Sequence, residues 1–484
     1  MKRNANLLAD HLPKKSKCPE NEINVNKESS ALHQIIGNTS IDSFLSDVYQ
    51  KEPHLFHTQI HDKDSRSAAL TSVYSMGWDG VCSMLHKSHD NLYQYHSVES
   101  NQEDFDTSSL PLFFRNQTPI QSEEIRDTYG NSPFAAYLDG CSIVNNHADL
   151  LSAPLAALCL DLQHSFPHAY VNTYLTPPSA AAVSAHADDR DVFVIQVMGE
   201  KNWKVYADCP IPYPSHHEQV GKKGLPVPAT ILEKNPLFDI TLKPGDVLYM
   251  PRGYVHEAAT SVSEPSFHCT VAIATADWSL STTVTEIVKQ QLESHTNFRM
   301  AVHPQFGMRS SNDIDSKQKD DLSILLKDAV ERISSTITVE SVAQSLGFKY
   351  KTHNEYVQSK RERLIVNETD ASDSLDSNPS STIVGPAAAR RVKMTTKIRA
   401  STDQEKESVP PPVATHGRGL TVREETCDTL LMILSILRKV GTSIQVSELL
   451  NSLPAANEEA QMVCELTILS FVKCCVGLGA IALA

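Results

Sequence analysis

The sequence predicts an α+β protein with a β-sandwich or barrel at its centre and helices before and after it. Three observations predict this. First, between residues 168 and 280, short runs rich in Val, Ile, Phe and Tyr (169–176, 192–198, 203–206, 247–250 and 268–274) alternate with turn residues such as Pro177-Pro178, Gly199, Pro244-Gly245 and Gly253. Second, no long helical period interrupts these runs, which argues against a doubly wound parallel sheet. Third, apolar residues at helical spacing return on both sides of the window, at Ile41, Phe44, Leu45 and Val48 and again at Leu322, Leu325, Leu326, Ala329 and Ile333.

The elements follow in order. Residues 1–40 are polar and lack clear periodicity, and read as a disordered tail. Within it Lys2, Arg3, Lys14, Lys15 and Lys17 face a single acid, Asp10, before residue 20. A solvated tail and a nuclear-entry signal both fit that pattern. Residues 41–165 read as a mixed, largely helical approach to the β-region. Asn38 or Thr39 is the expected cap of its first helix, and a second helix is expected at 153–162. Residues 166–280 are the β-core. Residues 281–365 read as helical, with helices at 283–292 and 320–337 and the makings of a dimer surface. Residues 366–420 are rich in Ser, Thr, Asp and Pro, lack aromatic residues, and read as a disordered linker. Residues 421–484 carry three expected helices (426–440, 446–453 and 458–476) and a possible strand at 480–483, which suggests a winged-helix-like module.

Composition narrows the function classes. The 484 residues contain 43 Lys and Arg against 58 Asp and Glu, a net charge of −15, so a broad basic face for nucleic acid is not expected. The C-terminal module is itself acidic, with Arg423, Arg438, Lys439 and Lys473 against seven acids, and is expected to meet protein before DNA. The longest clean apolar run falls short of the roughly 17 to 25 residues that span a bilayer, so no membrane span is expected. The ten cysteines form no Cys-x-x-Cys pair, which disfavours zinc ribbons and fits reduced thiols.

The chemistry lies in the β-core. His186-Ala187-Asp188 places two ligand-type side chains at i and i+2, on one face of an extended strand. Farther along, the turn Pro244-Gly245-Asp246, a short strand and a second turn at Gly253 deliver His256. Two histidines and a carboxylate are the facial donor set of non-haem iron, with open positions for a cosubstrate and dioxygen. Catalytic zinc is the competing reading, though mixed N/O ligation without thiolate leans to iron or manganese. Lys201 follows the turn at Gly199-Glu200. A lysine inside a barrel is an unpaired charge unless an anion meets it, and a surface turn is the alternative. Asn172 and Tyr174 alternate to one face of the 169–176 strand, where Asn is otherwise disfavoured.

Four stretches together resemble a known family. They are Asn-Thr-Tyr-Leu-Thr-Pro-Pro at 172–178, His-Ala-Asp-Asp at 186–189, Phe-Val-Ile-Gln-Val-Met-Gly-Glu-Lys-Asn-Trp at 193–203, and Pro-Gly-Asp-Val-Leu-Tyr-Met-Pro-Arg-Gly-Tyr-Val-His at 244–256. They look like the ribosomal oxygenase branch of the Jumonji-C oxygenases, over about 41–365 and more weakly over 421–484. The resemblance implies a double-stranded β-helix of the cupin type with Fe(II) held by His186, Asp188 and His256. It implies that Lys201 binds the distal carboxylate of 2-oxoglutarate, that Asn172 and Tyr174 line the pocket, and that dioxygen is the second cosubstrate. It also implies a homodimer through 281–360, a C-terminal winged-helix domain, and nuclear, nucleolar placement. The implied activity is histidyl hydroxylation of a ribosomal protein. Demethylation of lysine in histone H3 is a further candidate, because hydroxylating an N-methyl group leaves an unstable hemiaminal. A barrel without turnover, or a cupin metalloenzyme that does not use 2-oxoglutarate, are the rival readings. The family usually has an aromatic residue where this sequence has Ala187, and Cys269 on the last core strand is expected to be able to narrow the site.

Overall fold

Within the strand Arg190–Met198 the run Val192–Ile195 is apolar on both faces, and that property organises the molecule. Val192 and Val194 point one way into a cluster with Tyr170, Trp203, Val205, Leu248 and Met250; Phe193, Ile195 and Val197 point the other way into a larger cluster with the helices. A strand with period-two side chains can be apolar throughout only if both faces are covered. The inner cluster is a barrel interior and the outer one is the barrel's helical backing.

The computed structural model describes residues 30–484 apart from 59–67, 98–109, 375–381, 408–419, 440–442, 453–463 and scattered positions at 182, 223, 262–263, 309, 311–312, 383, 385 and 479. The barrel strands are β1 (His54–His57), β2 (Pro111–Arg115), β3 (Thr118–Ile120), β4 (Ser142–Asn145), β5 (Tyr170–Thr176), β6 (His186–Ala187), β7 (Arg190–Met198), β8 (Lys201–Val205), β9 (Phe238–Leu242), β10 (Asp246–Met250), β11 (Val255–Thr260) and β12 (Ser266–Thr275). Among the described residues they form an eight-stranded sheet, β1-β10-β7-β12-β5-β4-β2-β3, and a four-stranded sheet, β6-β11-β8-β9. Every pairing in both sheets is antiparallel. The two sheets face each other as a double-stranded β-helix, the fold that the motif resemblance implies. Connections between sheets are short: Gly199, at φ +61, turns β7 into β8 where a Cβ would collide with the Pro265 carbonyl.

Helices back the larger sheet. Ala153–Leu162, Gly77–Ser97 and Ala68–Tyr74 bury Leu155, Leu158, Leu162, Met84, Leu85, Leu70 and Val73 against it. The long helix Val339–Ser374 is fastened to the barrel by a fully buried ion pair. Arg361 Nε donates to Asp149 Oδ2 at 2.9 Å, while Asp149 Oδ1 accepts the Val171 N–H on β5 at 3.0 Å. Helices Leu280–Glu293 and Ser316–Thr336 leave Leu280, Ile324, Leu326 and Val330 exposed. Among the described residues no helix is long and apolar enough to cross a membrane.

Several expectations change. The helix Ile41–Ser43 is capped by Ser40, whose Oγ accepts the Ser43 N–H at 3.0 Å, and not by Asn38 or Thr39; it continues as a wide turn over Phe44–Val48. The expected tail of 1–40 contains a helix, Ser30–Ile36, that buries Ala31, Leu32, Ile35 and Ile36 and is held at its start by Asp161. The basic residues Lys2 to Lys17 lie outside the described residues. The expected linker of 366–420 contains regular elements, and residues 375–381 and 408–419 of it lie outside the described residues. The helix from Val339 runs to Ser374, Pro386–Arg390 is helical, and a strand β13 (Lys397–Ala400) sits between β14 (Ile444–Gln445) and β15 (Ile481–Leu483) in a three-stranded antiparallel sheet. That sheet packs with helices Glu424–Lys439, Val446–Asn451 and Glu465–Gly477. Their buried side chains join the same hydrophobic cluster as the helical backing of the barrel.

Candidate metal centre

Strand register assembles the site. β6 is only two residues long, yet its antiparallel pairing with β11 sets His186 directly opposite His256. Opposite residues share a face, so both imidazoles project into the barrel, with ring centroids 4.4 Å apart. Asp188 follows at i+2. Its Oδ1 lies 3.5 Å from His186 Nε2 and its Oδ2 lies 3.8 Å from His256 Nε2. One donor atom from each of the three residues can be chosen within 4.8 Å of the others. Donors bound about 2.1 Å from one ion at right angles lie about 3 Å apart, so small side-chain shifts suffice to close on a cation. Ala187, between the ligands, turns away from the site into a cluster with Tyr206, Val220 and Val255.

Hydrogen bonds orient the donors. His186 Nδ1 lies 2.7 Å from the Ser184 carbonyl oxygen, and His256 Nδ1 lies 3.1 Å from that of Tyr254. A carbonyl only accepts, so each Nδ1 carries the proton and each Nε2 keeps a lone pair facing the centre. Burial, with His186 beside it, pushes His256 down to about 3, and so keeps it neutral. Burial opposes the charge of Asp188, but Lys222, His186 and His256 together outweigh it and hold the carboxyl well below its usual range. Lys222 Nζ donates to Asp188 Oδ1 at 2.8 Å. Two imidazoles and an ionised carboxylate are a donor set for a divalent cation. The absence of thiolate fits iron or manganese.

The three residues open onto a cavity whose walls include Tyr174, Val192, Val194, Lys201, Trp203, Met250, His268 and Thr270. Lys201 sits on β8 at 2 % exposure, inside the barrel, and not in a surface turn. Its Nζ donates to Thr176 Oγ1 at 3.0 Å, and among the described residues no carboxylate pairs with it. Burial alone drops its ammonium from 10.5 to about 7. A buried cation with open hydrogen-bonding capacity is a seat for an anion.

Sequence reasoning missed His268. It lies on β12 opposite Tyr174, stacked on that ring at 4.8 Å and met edge-on by Trp203 at 5.4 Å. Burial, then Lys201, hold it well below the usual imidazole range, and its Nδ1 is buried without a hydrogen-bond partner. The signal was available: His268 and Thr270 put polar groups at i and i+2 on an otherwise apolar strand. Tyr174 lines the cavity, while Asn172, opposite Thr270, accepts the His147 N–H on its Oδ1 at 3.1 Å and tethers the loop after β4. Cys269 cannot narrow the site, because strand alternation points it into the helical backing with Phe267 and Val271.

Residues 152–280 match the family model described as the JmjC domain. The protein is 30% identical over 255 residues to the bifunctional lysine-specific demethylase and histidyl-hydroxylase NO66 of Drosophila persimilis, which covers 52% of this sequence and 32% of that protein. It is 40% identical over 139 residues to the protein of the same name from Drosophila willistoni, covering 28% and 17%. It thus spans about a third or less of the length of these relatives. A solved structure of YcfD, a ribosomal oxygenase from Escherichia coli in complex with cobalt and 2-oxoglutarate, aligns at 14% identity and a TM-score of 0.36, over 75% of this protein and 80% of that one. The matched stretch holds β5 through β12, and with them His186, Asp188, Lys201 and His256.

Proposed function

We propose that this protein is an Fe(II)- and 2-oxoglutarate-dependent protein hydroxylase that acts on a histidine of a ribosomal protein. The observation that carries the reading is the pairing of two unlike sites in one cavity: an oriented His186–Asp188–His256 donor set and the uncompensated Lys201 ammonium. The first suits Fe(II) and the second suits the far carboxylate of a short dicarboxylate. Bound Fe(II), 2-oxoglutarate and dioxygen would supply the oxidising power that converts an aliphatic C–H bond to C–OH.

The protein's own residues do the rest. His186 and His256 present lone pairs because Ser184 and Tyr254 hold their Nδ1 protons. Lys201 and Thr176 clamp the cosubstrate carboxylate, with Tyr174 and the open Nδ1 of His268 as further polar contacts. Val192, Val194, Trp203 and Met250 exclude water from the inner wall, which strengthens each of those contacts. The histidyl assignment, with lysine demethylation as its companion, draws on the NO66 relatives. The ribosomal substrate, histone H3 as a second substrate and the nuclear, nucleolar location draw on the motif resemblance. The homodimer draws on the exposed Leu280, Ile324, Leu326 and Val330. The domain reading of 41–165, 166–280, 281–365 and 421–484 stands beside it.

The test is turnover. Protein loaded anaerobically with Fe(II) is given 2-oxoglutarate, air and two peptide sets, ribosomal histidine-containing loops and methylated H3 tails, with His186→Ala as control. A one-oxygen mass gain on a ribosomal peptide, absent in the control, is the expected result. Loss of one methylene from an H3 tail identifies a demethylase instead. Bound iron without succinate or peptide change refutes the proposal.

A further inference from the structure

Lys222 has no part in the reading above, yet it touches the ligand set directly. Its loop lies on the strand that carries His186. The Ala187 N–H donates to the Val220 carbonyl at 2.8 Å, and the loop closes on itself through Gly221 N–H to Leu225 O at 2.6 Å and Lys222 N–H to Gln219 O at 3.1 Å. The approach requires glycine at 221. Its φ is +80, and a Cβ there would sit 2.7 Å from His186 Cα and overlap the Ala185 carbonyl. From this anchored backbone the lysine side chain reaches Asp188 Oδ1 at 2.8 Å.

We propose that Lys222 is the charge partner that makes a divalent metal and a dianionic 2-oxo acid bind this site cooperatively. The proposal rests on His186, Asp188 and His256 being the metal ligands. Imidazoles that give a lone pair to a metal are neutral, so the ligand set carries only the single charge of Asp188. A divalent cation changes the local sum to +1, and Lys222 makes it +2. Lys222 therefore opposes a bare dication, and favours a dianion that brings the sum to zero. Without metal, the same ammonium compensates the Asp188 carboxylate. Lys201 does not replace it, because Lys201 is bonded to Thr176 and not to the ligand set. The Lys222 side chain is 30% exposed, so water screens the effect. About tenfold coupling is expected, toward the lower part of the range for linked sites.

The experiment measures Mn(II) binding to the 484-residue protein, anaerobically, from the electron paramagnetic resonance signal of the free ion, with and without 2-oxoglutarate. Wild type is compared with Lys222→Met and Lys222→Arg, each checked for folding by circular dichroism. The expected result is that Lys222→Met binds Mn(II) alone about tenfold more tightly and loses a similar factor of the enhancement by 2-oxoglutarate. Lys222→Arg is expected to keep the wild-type pattern. If 2-oxoglutarate enhances wild-type binding and Lys222→Met matches wild type in both measurements, the proposal alone fails. Weaker Mn(II) binding by Lys222→Met also overturns it, since a ligand-orienting role would then outweigh the charge. A wild type that binds no Mn(II), or binds it without any response to 2-oxoglutarate, removes the metal and cosubstrate reading and the proposal together.

Discussion

Replacing Lys201 by Met is expected to make the metal-free, cosubstrate-free protein more stable. Burial lowers the Lys201 ammonium from 10.5 to about 7. The unfolded state therefore holds that proton more tightly than the folded one. The difference of about 3.5 units, at 1.36 kcal/mol each, sets a ceiling of about 5 kcal/mol on the destabilisation from a charged Lys201. The hydrogen bond to Thr176 Oγ1 is lost on substitution, which offsets about 1 kcal/mol. The sign follows from the depressed value. Below about pH 7 both states are protonated and the full penalty stands. Between about pH 7 and 10.5 the folded state sheds the proton first, and wild-type stability climbs toward that of the variant. Urea denaturation at pH 6, 8 and 10 reads this directly: Lys201→Met should exceed wild type by a few kcal/mol at pH 6, with the gap closing by pH 10. Adding 2-oxoglutarate with Mn(II) should stabilise wild type far more than the variant, because only wild type offers the carboxylate a cation. A variant less stable than wild type at pH 6, or equal stabilisation of both by 2-oxoglutarate, would refute the argument that Lys201 is an uncompensated cation awaiting an anion.

Other outcomes follow from the same geometry. His256→Ala should abolish Mn(II)-dependent thermal stabilisation while leaving the metal-free melting temperature close to wild type, read by differential scanning fluorimetry with and without a chelator. Arg361→Met should destabilise the fold by about 3–5 kcal/mol in urea, because Asp149 is left as a buried, unpaired carboxylate between the long helix and β5. Phe193→Ala should lose about 3–5 kcal/mol in the same assay, as it empties a fully buried position on the helical side of β7. Cys269→Ser should leave the 2-oxoglutarate KM unchanged while lowering stability, since the residue faces the helices and not the cavity.

What could be read in advance follows the range of the interaction that shapes each part. β5, β7, β10 and β12 announce themselves because each is an apolar run bounded by Pro or Gly, a signal contained in a few consecutive residues. The helix Ala153–Leu162 was legible for the same reason. β6 was not, as two residues have no period; it exists because β11 lies beside it. β13 was hidden in a polar, proline-containing stretch, and its partners at 444–445 and 481–483 are far along the sequence. The capping of the helix Ile41–Ser43 went to Ser40 over two equally plausible neighbours, a choice made by backbone geometry and not by residue type.

The site divides along the same line. The residue types and spacing of His186, Asp188 and His256 point to a metal because few other roles need that set on one strand face, and local alternation is enough to bring out the first two. Lys201 could be read only as a choice between barrel interior and turn, and the choice is settled by the pairing of Lys201 with Leu242 and Thr260 across β8, which puts it on the buried face with Trp203. Asn172 and Tyr174 share a strand face, and the bond from the His147 N–H to Asn172 Oδ1 is a tertiary contact that no strand period announces. Lys222 was invisible for a further reason. It lies in a polar loop like any solvated lysine, and only a glycine held at positive φ against the backbone of His186 brings its ammonium onto Asp188. A charge placed by tertiary contact, at a site whose ligands are placed by strand period, is where the sequence carries the least information and the electrostatics of the site have most to gain from structure.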